Sequence, residues 1–538
     1  GIDASAPKTA QEKSVALRNY PLDSVNQNSQ LSNPDSRVSL NTLENHASLL
    51  AEHGNSYQGL VTGDLERFVT HFWEHQTLRF SGLEPFRTTI DATDSALAGV
   101  HHAILWESGT GQLAKYAAES RDRLHDMHES GNRAWGCKGI AINRMRGLRV
   151  AHYFGEHFDN NVAVVVPKDQ NTLAAIWCYL SSSEFFEHVR KLDTTLKVTN
   201  KTLLQVPFEL PHWEKVAEIH YPGGLPEPYS DDSTQWIFHG HPRPSTDPLQ
   251  VAVARLVGYT WPAESDDKME LSDEARAWIA RSKVLKPHAD KDGIVCIPPV
   301  GHEASASDRL LNLLADAYGD AWSNDTLAQL MTAADHAGKS LETWLRDKFF
   351  TQHCALFGNR PFVWHVWDGL RDGFAALVNY HRLDYKTLES LIYTYLGDWI
   401  GRQKRDADNA VDGAQEKLAA AEALKKRLEL ILAGDAPYDI FVRWKPIEEQ
   451  PIGWNPDLND GVRLNIRPLL AVPDVGKRGA GVLRDKPKSL HWEKDRGSDV
   501  LSAPWYELGL QHDGKVGDRI NDHHLSLADK RKAQEKAK

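Results

Sequence analysis

The stretch Leu196–Pro211, Leu-Lys-Val-Thr-Asn-Lys-Thr-Leu-Leu-Gln-Val-Pro-Phe-Glu-Leu-Pro, sets polar residues ahead of an apolar run broken by prolines. The valine run inside Asn161–Lys168 reads as a short buried strand. Asn171–Arg190 then reads as a helix capped by Asn171 or Thr172. A strand and a helix feeding one polar loop make this segment mixed α/β. Lys197, Thr199, Asn200 and Lys201 offer donors and acceptors on that loop, and an Asn side chain can pair bidentately with an adenine edge. Taken alone, Thr-Asn-Lys between buried segments is more simply a polar turn.

The surrounding chain has 538 residues, too many for one ordinary core, so two or three domains are expected. With 41% hydrophobic and 25% charged residues it has the composition of a globular protein, not a disordered one. No apolar stretch is long enough to span a membrane and the first residues do not form a signal peptide, which points to the cytoplasm and away from membrane partners. Cys137, Cys178, Cys296 and Cys354 lie far apart and read as buried thiols in a reducing compartment.

A net charge of −12 excludes a protein that coats nucleic acid uniformly, and makes local charge the informative quantity. Between Asn132 and Val150 stand Arg133, Lys138, Arg144, Arg146 and Arg149 without an acid; Arg190–Lys201 is basic except for Asp193. Such runs are often solvated faces. Two of them, one before the polar loop and one running into it, point instead to a DNA cleft.

Residues 1–45 are polar, and Ser36–Leu50 carries leucines at helical spacing. In Tyr57–Trp73 a glycine turn precedes a helix that Asp64 can cap. Pro222–Pro248 is rich in Pro, Gly, Asp and Ser, a long surface loop or linker; Leu249–Tyr259 resumes as a helix. Ser307–Gly434 is predominantly helical, and Arg405–Leu432, with few breakers, reads as one extended helix. Trp364, Trp367, Tyr380, Tyr393, Tyr395 and Trp399 are expected in the core. From Pro437 onward Trp, Pro and Gly are frequent, and Ala528–Lys538 is a basic tail.

Several short motifs, in order, resemble the region following the catalytic domain of single-chain adenine-specific DNA methyltransferases of Type IIG and IIL restriction enzymes and BREX-like phage-defence systems. They are Gly59-Leu-Val-Thr-Gly-Asp64 with Arg67-Phe68, Gly155-Glu-His-Phe-Asp-Asn160, Lys197-Val-Thr-Asn200, Trp236-Ile-Phe-His-Gly-His-Pro242 and Leu249–Pro262. Arg360-Pro-Phe-Val-Trp364, Phe374–Leu383, Tyr393-Thr-Tyr-Leu396, Asp460-Gly-Val-Arg-Leu-Asn465 and Lys486–Gly497 continue the series. The resemblance implies an α+β fold: a mixed α/β target-recognition domain, then a mainly helical domain and a small irregular C-terminal region. The expected limits are a lead-in over 1–45, the recognition domain over 46–225, connecting elements over 226–300, the helical domain over 301–436 and the C-terminal region over 437–538. In that layout the loop at Lys197–Asn200 precedes a short strand that exits through prolines.

The family's catalytic signatures are not matched. Ile297-Pro-Pro-Val300 lacks the polar first residue and aromatic last residue of the tetrapeptide that holds the flipped adenine. Asn359-Arg-Pro-Phe362 has Arg in second position, and Ser108-Gly-Thr-Gly111 is a lone Gly-x-Gly. The chain is therefore expected to begin partway through a larger protein. No cofactor is assigned to it, and S-adenosylmethionine is expected in a methyltransferase domain or subunit outside it. Pro473-Asp474 lies too far from Asp513-Gly-Lys515 for a nuclease, and His101-His102 and His523-His524 lack ligands at zinc spacing. No Gly-x-x-x-x-Gly-Lys-Ser/Thr phosphate loop occurs.

The expected function is sequence-specific recognition of double-stranded DNA for N6-adenine methylation in restriction or anti-phage defence, with other defence proteins as further partners. The alternative is a stand-alone specificity subunit that recruits a separate methyltransferase or nuclease. The expected DNA-binding residues are Arg133, Lys138, Arg144, Arg146, Arg149, Lys197, Thr199, Asn200 and Lys201. Lys197 and Lys201 read as phosphate contacts and Asn200 as a positioning or capping residue ahead of a base reader.

Overall fold

The computed structural model describes residues 7, 9–22, 24–31, 48–76, 82–90, 96–97, 99–145, 147–358, 360–433 and 535. The motifs expected beyond Ala433, and most of the helix expected over Ser36–Leu50, lie outside these residues. The fold is α+β. It divides into two compact units, residues 1–63 with 82–227, and residues 64–81 with 228–538.

In the first unit the strands are β1 Gly54–Gln58, β2 Leu83–Arg87, β3 His102–Leu105, β4 Gly139–Asn143, β5 Val150–Tyr153, β6 His157–Phe158 and β7 Val162–Pro167. A sheet of order β1-β7-β4-β5 is antiparallel throughout, with Ile140 opposite Val165 and Gly139 opposite Tyr153. Its central strands are apolar on both faces because both are covered. Ile140, Ile142, Ala163 and Val165 pack under the helices α1 Leu173–Leu180, α2 Ser183–Leu192, α3 Asn200–Leu204 and α4 Leu210–His220. Ala141, Val162 and Val164 face the opposite way, toward Phe158, Tyr153 and Ile90. Each fully buried valine or isoleucine is worth about 1.5–3 kcal/mol of transfer free energy. Strand β2 pairs antiparallel with β3 and parallel with β6.

Two glycines are required by close backbone approach. A Cβ at Gly59 would lie 2.3 Å from the carbonyl oxygens of Phe158 and Asp159, and one at Gly155 (φ +101) would lie 2.6 Å from the Cα of Gly136. The Gly59–Asp64 and Gly155–Asn160 motifs therefore meet, through Leu60 N–H donating to the Phe158 carbonyl and Asn160 N–H to that of Leu60.

The structure corrects several local expectations. The helix expected over Asn171–Arg190 is two: it breaks at Ser181, and the Ser182 hydroxyl caps α2 by accepting from Phe185 N–H. The first turn is fixed by Asp169, whose carboxylate accepts from Asn171 N–H. The strand expected after the Lys197–Asn200 loop is the helix α3, because Thr199 at its N-cap accepts from Thr202 N–H at 3.2 Å. Extended pairing resumes only where Val206 and Phe208 bond to Leu50 and Ser48. Cys137 is half-buried rather than buried.

In the second unit Leu65–Phe68 is a single helical turn with Asp64 at the N-cap position. The segment 228–247 has neither helix nor strand, yet Ser233, Gln235, Phe238, His239 and His241 are buried, so it is no surface linker. It leads into α5 Pro248–Leu256 and α6 Asp273–Val284. The region expected to be helical holds the helices α7 Ala306–Tyr318, α8 Asn324–Ala333, α9 Leu341–Asp347 and α10 Phe349–Leu356, and also two strands of a sheet whose other strand precedes it. The sheet's strands β8 Ile294–Cys296, β9 Val363–Trp367 and β10 Ala375–Asn379 take the antiparallel order β9-β10-β8. Trp364, Trp367, Tyr380 and Trp399 are core residues, whereas Tyr393 is exposed beneath the Lys425 ammonium. The helix expected over Arg405–Leu432 is a hairpin of α11 Leu396–Asp408 and α12 Ala414–Ala433. Between them Ala410 (φ 55) and Gly413 (φ 74) reverse the chain.

Candidate nucleic-acid interface

Of the expected DNA-binding residues, Arg133, Lys138, Arg144, Arg149 and Lys197 lie in the first unit at two ends of one sheet. Strand β4 separates them: Lys138 precedes it and Arg144 follows, six residues on, or roughly 20 Å at ~3.4 Å per residue. Arg133 and Lys138 therefore belong to one end and Arg144, Arg149 and Lys197 to the other. The basic run read from Arg133 to Arg149 is not one continuous face.

At the second end three segments distant in sequence converge on Arg144, which is only 7% exposed. Its Nε donates to the Val198 carbonyl at 2.9 Å and its Nη1 to that of Asn160 at 3.1 Å. Its backbone N–H donates to the Asn161 carbonyl, and its own carbonyl accepts from Val198 N–H at 2.9 Å. Arg144 thus joins the β4–β5 loop to the β6–β7 turn and to the Lys197–Asn200 loop. This corrects its expected place among the solvent-facing cations: it is a tie between loops, and burial lowers its pKa.

Lys197 is half-buried and its Nζ donates to Asn161 Oδ1 at 2.9 Å. Burial and the neighbouring Arg144 charge lower its pKa, against the pull of Asp159. The loop before it is also fastened. Arg190 Nη1 donates to the Thr195 carbonyl at 2.6 Å, and buried Asp193 accepts from Thr195 N–H at 2.9 Å. Thr199 is the helix cap, so the capping role considered for Asn200 belongs to its neighbour. Asn200 Nδ2 instead donates to Ser56 Oγ on β1 at 3.1 Å, while its Oδ1 is buried with no hydrogen-bond partner.

The β4–β5 loop closes by Asn143 N–H donating to the Arg149 carbonyl at 2.8 Å. Leu148 is buried there with φ 49, a left-handed conformation that a leucine adopts only when its surroundings impose it. Beside this anchor Arg149 is exposed, and its guanidinium makes no ion pair among the described residues. Lys201 is exposed on the first turn of α3, and Arg133 and Lys138 are exposed at the far end of the sheet. Arg146 lies outside the described residues. Exposed cations on loops held by buried ties suit backbone phosphate contacts, which reward fixed position more than shape.

No protein-family model matches the chain. Over 156 residues, 28% of its length, the sequence is 26% identical to the adenine-specific methyltransferase PglX of Lacticaseibacillus casei (strain Zhang). The match spans 13% of that protein's length. The similarity supports a methyltransferase-associated function. Among the described residues no helix is long and apolar enough to cross a membrane.

Proposed function

We propose that this chain is the DNA-recognition portion of an N6-adenine DNA methyltransferase acting in restriction or anti-phage defence, with methyl transfer performed by a domain or subunit outside this sequence. The observation that carries the reading is the fixed, basic loop system at one end of the first unit's sheet. Arg144 and Leu148 lock the β4–β5 loop, and Arg149 stands exposed on it beside the Lys197–Asn200 loop. The partial similarity to PglX supports the same class. Arg149 and Lys201 neutralise phosphates and set register; bases are read from the loops they position. The target adenine is extruded by the partner domain, which alone holds S-adenosylmethionine.

The test is fluorescence anisotropy of a labelled duplex against rising salt. Affinity is expected to fall linearly in log–log form, by about 0.9 per phosphate contact. No binding at roughly 50 mM salt, where several contacts give easily measured affinity, overturns the reading. The chain alone is expected to give no methyl transfer and no calorimetric signal with S-adenosylmethionine.

A further inference from the structure

The second unit holds a cavity of about 630 Å³, walled by residues of the 228–247 segment, α6, the end of α7 and the turn that follows it. The size falls within the range of small-molecule sites. Arg243 and Arg281 both line it, and neither guanidinium has an ion-pair partner among the described residues. Arg281 lies over the Trp278 indole with its Cζ 4.4 Å from the ring centroid. Stacking of this kind occupies the face of the guanidinium and leaves its N–H edge for a ligand. Two buried side chains add donors. His241, 3% exposed, accepts the Arg243 backbone N–H on Nδ1 at 3.1 Å, so the neutral ring carries its proton on Nε2. Tyr318, 9% exposed, brings a hydroxyl near the Arg243 charge. The ring of His241 stays neutral because burial, then the charges of Arg255, Arg281 and Arg243, push its pKa down to about 3.

We propose that this cavity binds a nucleoside phosphate. Two guanidiniums without an ion-pair partner among the described residues, an imidazole N–H and a phenol line the cavity as donors, the set that recognises a phosphate group. Trp278, with Val284 and Leu285 beside it, supplies an apolar wall for an organic body rather than a bare ion. Asp320 on the rim has the chemistry to accept a hydrogen bond from a ribose hydroxyl. Asp316 also lines the cavity, with its carboxylate hydrogen-bonded to His288 Nε2 at 2.7 Å. The site involves none of the residues proposed for duplex binding and stands apart from that reading.

The test is calorimetric titration of the whole chain with adenosine 5′-monophosphate, inorganic phosphate and adenosine. The monophosphate is expected to bind at least about tenfold tighter than either fragment. Arg243→Gln and Arg281→Gln are each expected to weaken it by about tenfold or more, as loss of a charge-assisted hydrogen bond does. Both residues are exposed, so the variants are expected to fold, which circular dichroism checks. Duplex DNA then identifies the source: competition with the monophosphate makes the ligand a nucleotide of bound DNA, and its absence makes it a free nucleotide. Monophosphate binding no tighter than adenosine, or unchanged in the Arg243→Gln/Arg281→Gln double variant, overturns the proposal. Loss of duplex binding on changing Arg149, with monophosphate binding intact, leaves it standing.

Discussion

Replacing Arg144 with Ala separates a structural tie from a phosphate contact. The change removes two hydrogen bonds from a charged donor, at 2.9 and 3.1 Å, and leaves the Val198 and Asn160 carbonyls without that donor. Hydrogen bonds to charged groups contribute about 1.5–3 kcal/mol each. Part is offset, because the arginine no longer has to be desolvated in the folded state. The buried stem also loses packing. A net loss of about 2–4 kcal/mol follows, which for a domain of this size lowers Tm by roughly 5–15 °C. The assay is differential scanning calorimetry, paired with duplex anisotropy over a salt series below the new transition. Duplex affinity is expected to fall because both loops lose their fixed positions, with the salt slope changing only as far as those loops stop presenting Arg149. A variant with wild-type Tm and a slope shallower by about 0.9 behaves as a surface phosphate contact and refutes the tie.

Arg149→Ala is expected to leave the unfolding free energy within about 0.5 kcal/mol of wild type and to flatten the salt slope by about 0.9, whereas Arg133→Ala with Lys138→Ala, at the far end of the sheet, is expected to leave the slope unchanged. Asn200→Ala removes the bond to Ser56 and is expected to cost about 1 kcal/mol in urea denaturation. Selections on a randomised duplex should return an unaltered sequence logo for it, and a change confined to one base pair would instead make Asn200 a base reader. Glu264→Ala strands Arg255, whose Nη2 lies 2.6 Å from the Glu264 carboxylate with both side chains buried, and is expected to destabilise the second unit by about 3–5 kcal/mol in the same calorimeter. His353 and His365 are buried and His381 is half-buried, all with pKa values lowered to about 3, chiefly by desolvation. Below the unfolded value of 6.5 the unfolded chain binds more protons, so stability rises with pH. It is fully present above 6.5 and is lost as pH falls toward 3, by up to about 1.4 kcal/mol per pH unit per histidine; denaturation midpoints that do not move between pH 7 and 4.5 refute this.

The parts of the fold that composition makes unambiguous were legible. The valine run of β7 is apolar at every position because the sheet is covered on both faces, and no helix pattern competes with it in so short a segment. The hairpin of β9 and β10 was missed for the converse reason: two five-residue apolar runs do not reveal their period, and helical neighbours prejudice the reading. The signal lay in the turn between them, Asp368-Gly-Leu-Arg-Asp-Gly373. The Asp368 carboxylate accepts from Leu370 and Phe374 N–H, and a Cβ at Gly373 would lie 2.2 Å from it, so an Asx-type turn closed against a glycine marks the reversal. The long helix over Arg405–Leu432 failed similarly, at Asn409–Gly413, where a single glycine was the only breaker.

At the candidate interface the residue types were legible and their directions were not. Counting Arg133 to Arg149 as one basic run treats every cation as solvent-facing, but strand parity already distinguishes them. Ile140 and Ile142 point to the helix-covered face, and Arg144 continues their alternation, so its side chain is carried to the buried side at the strand's end, where Val198 lies. Arg149 escapes that constraint because it follows Leu148, whose left-handed backbone turns the chain before β5 begins. The same parity gives the site its division of labour. On the core side Arg144 binds the Val198 and Asn160 backbone carbonyls, and by doing so it fixes the loops that hold the exposed cation. A lysine in its place would present one ammonium instead of a planar fork and could not reach Val198 and Asn160 in the same geometry. The positive charge of this region is thus divided between a guanidinium that organises the loops and the exposed cations those loops carry.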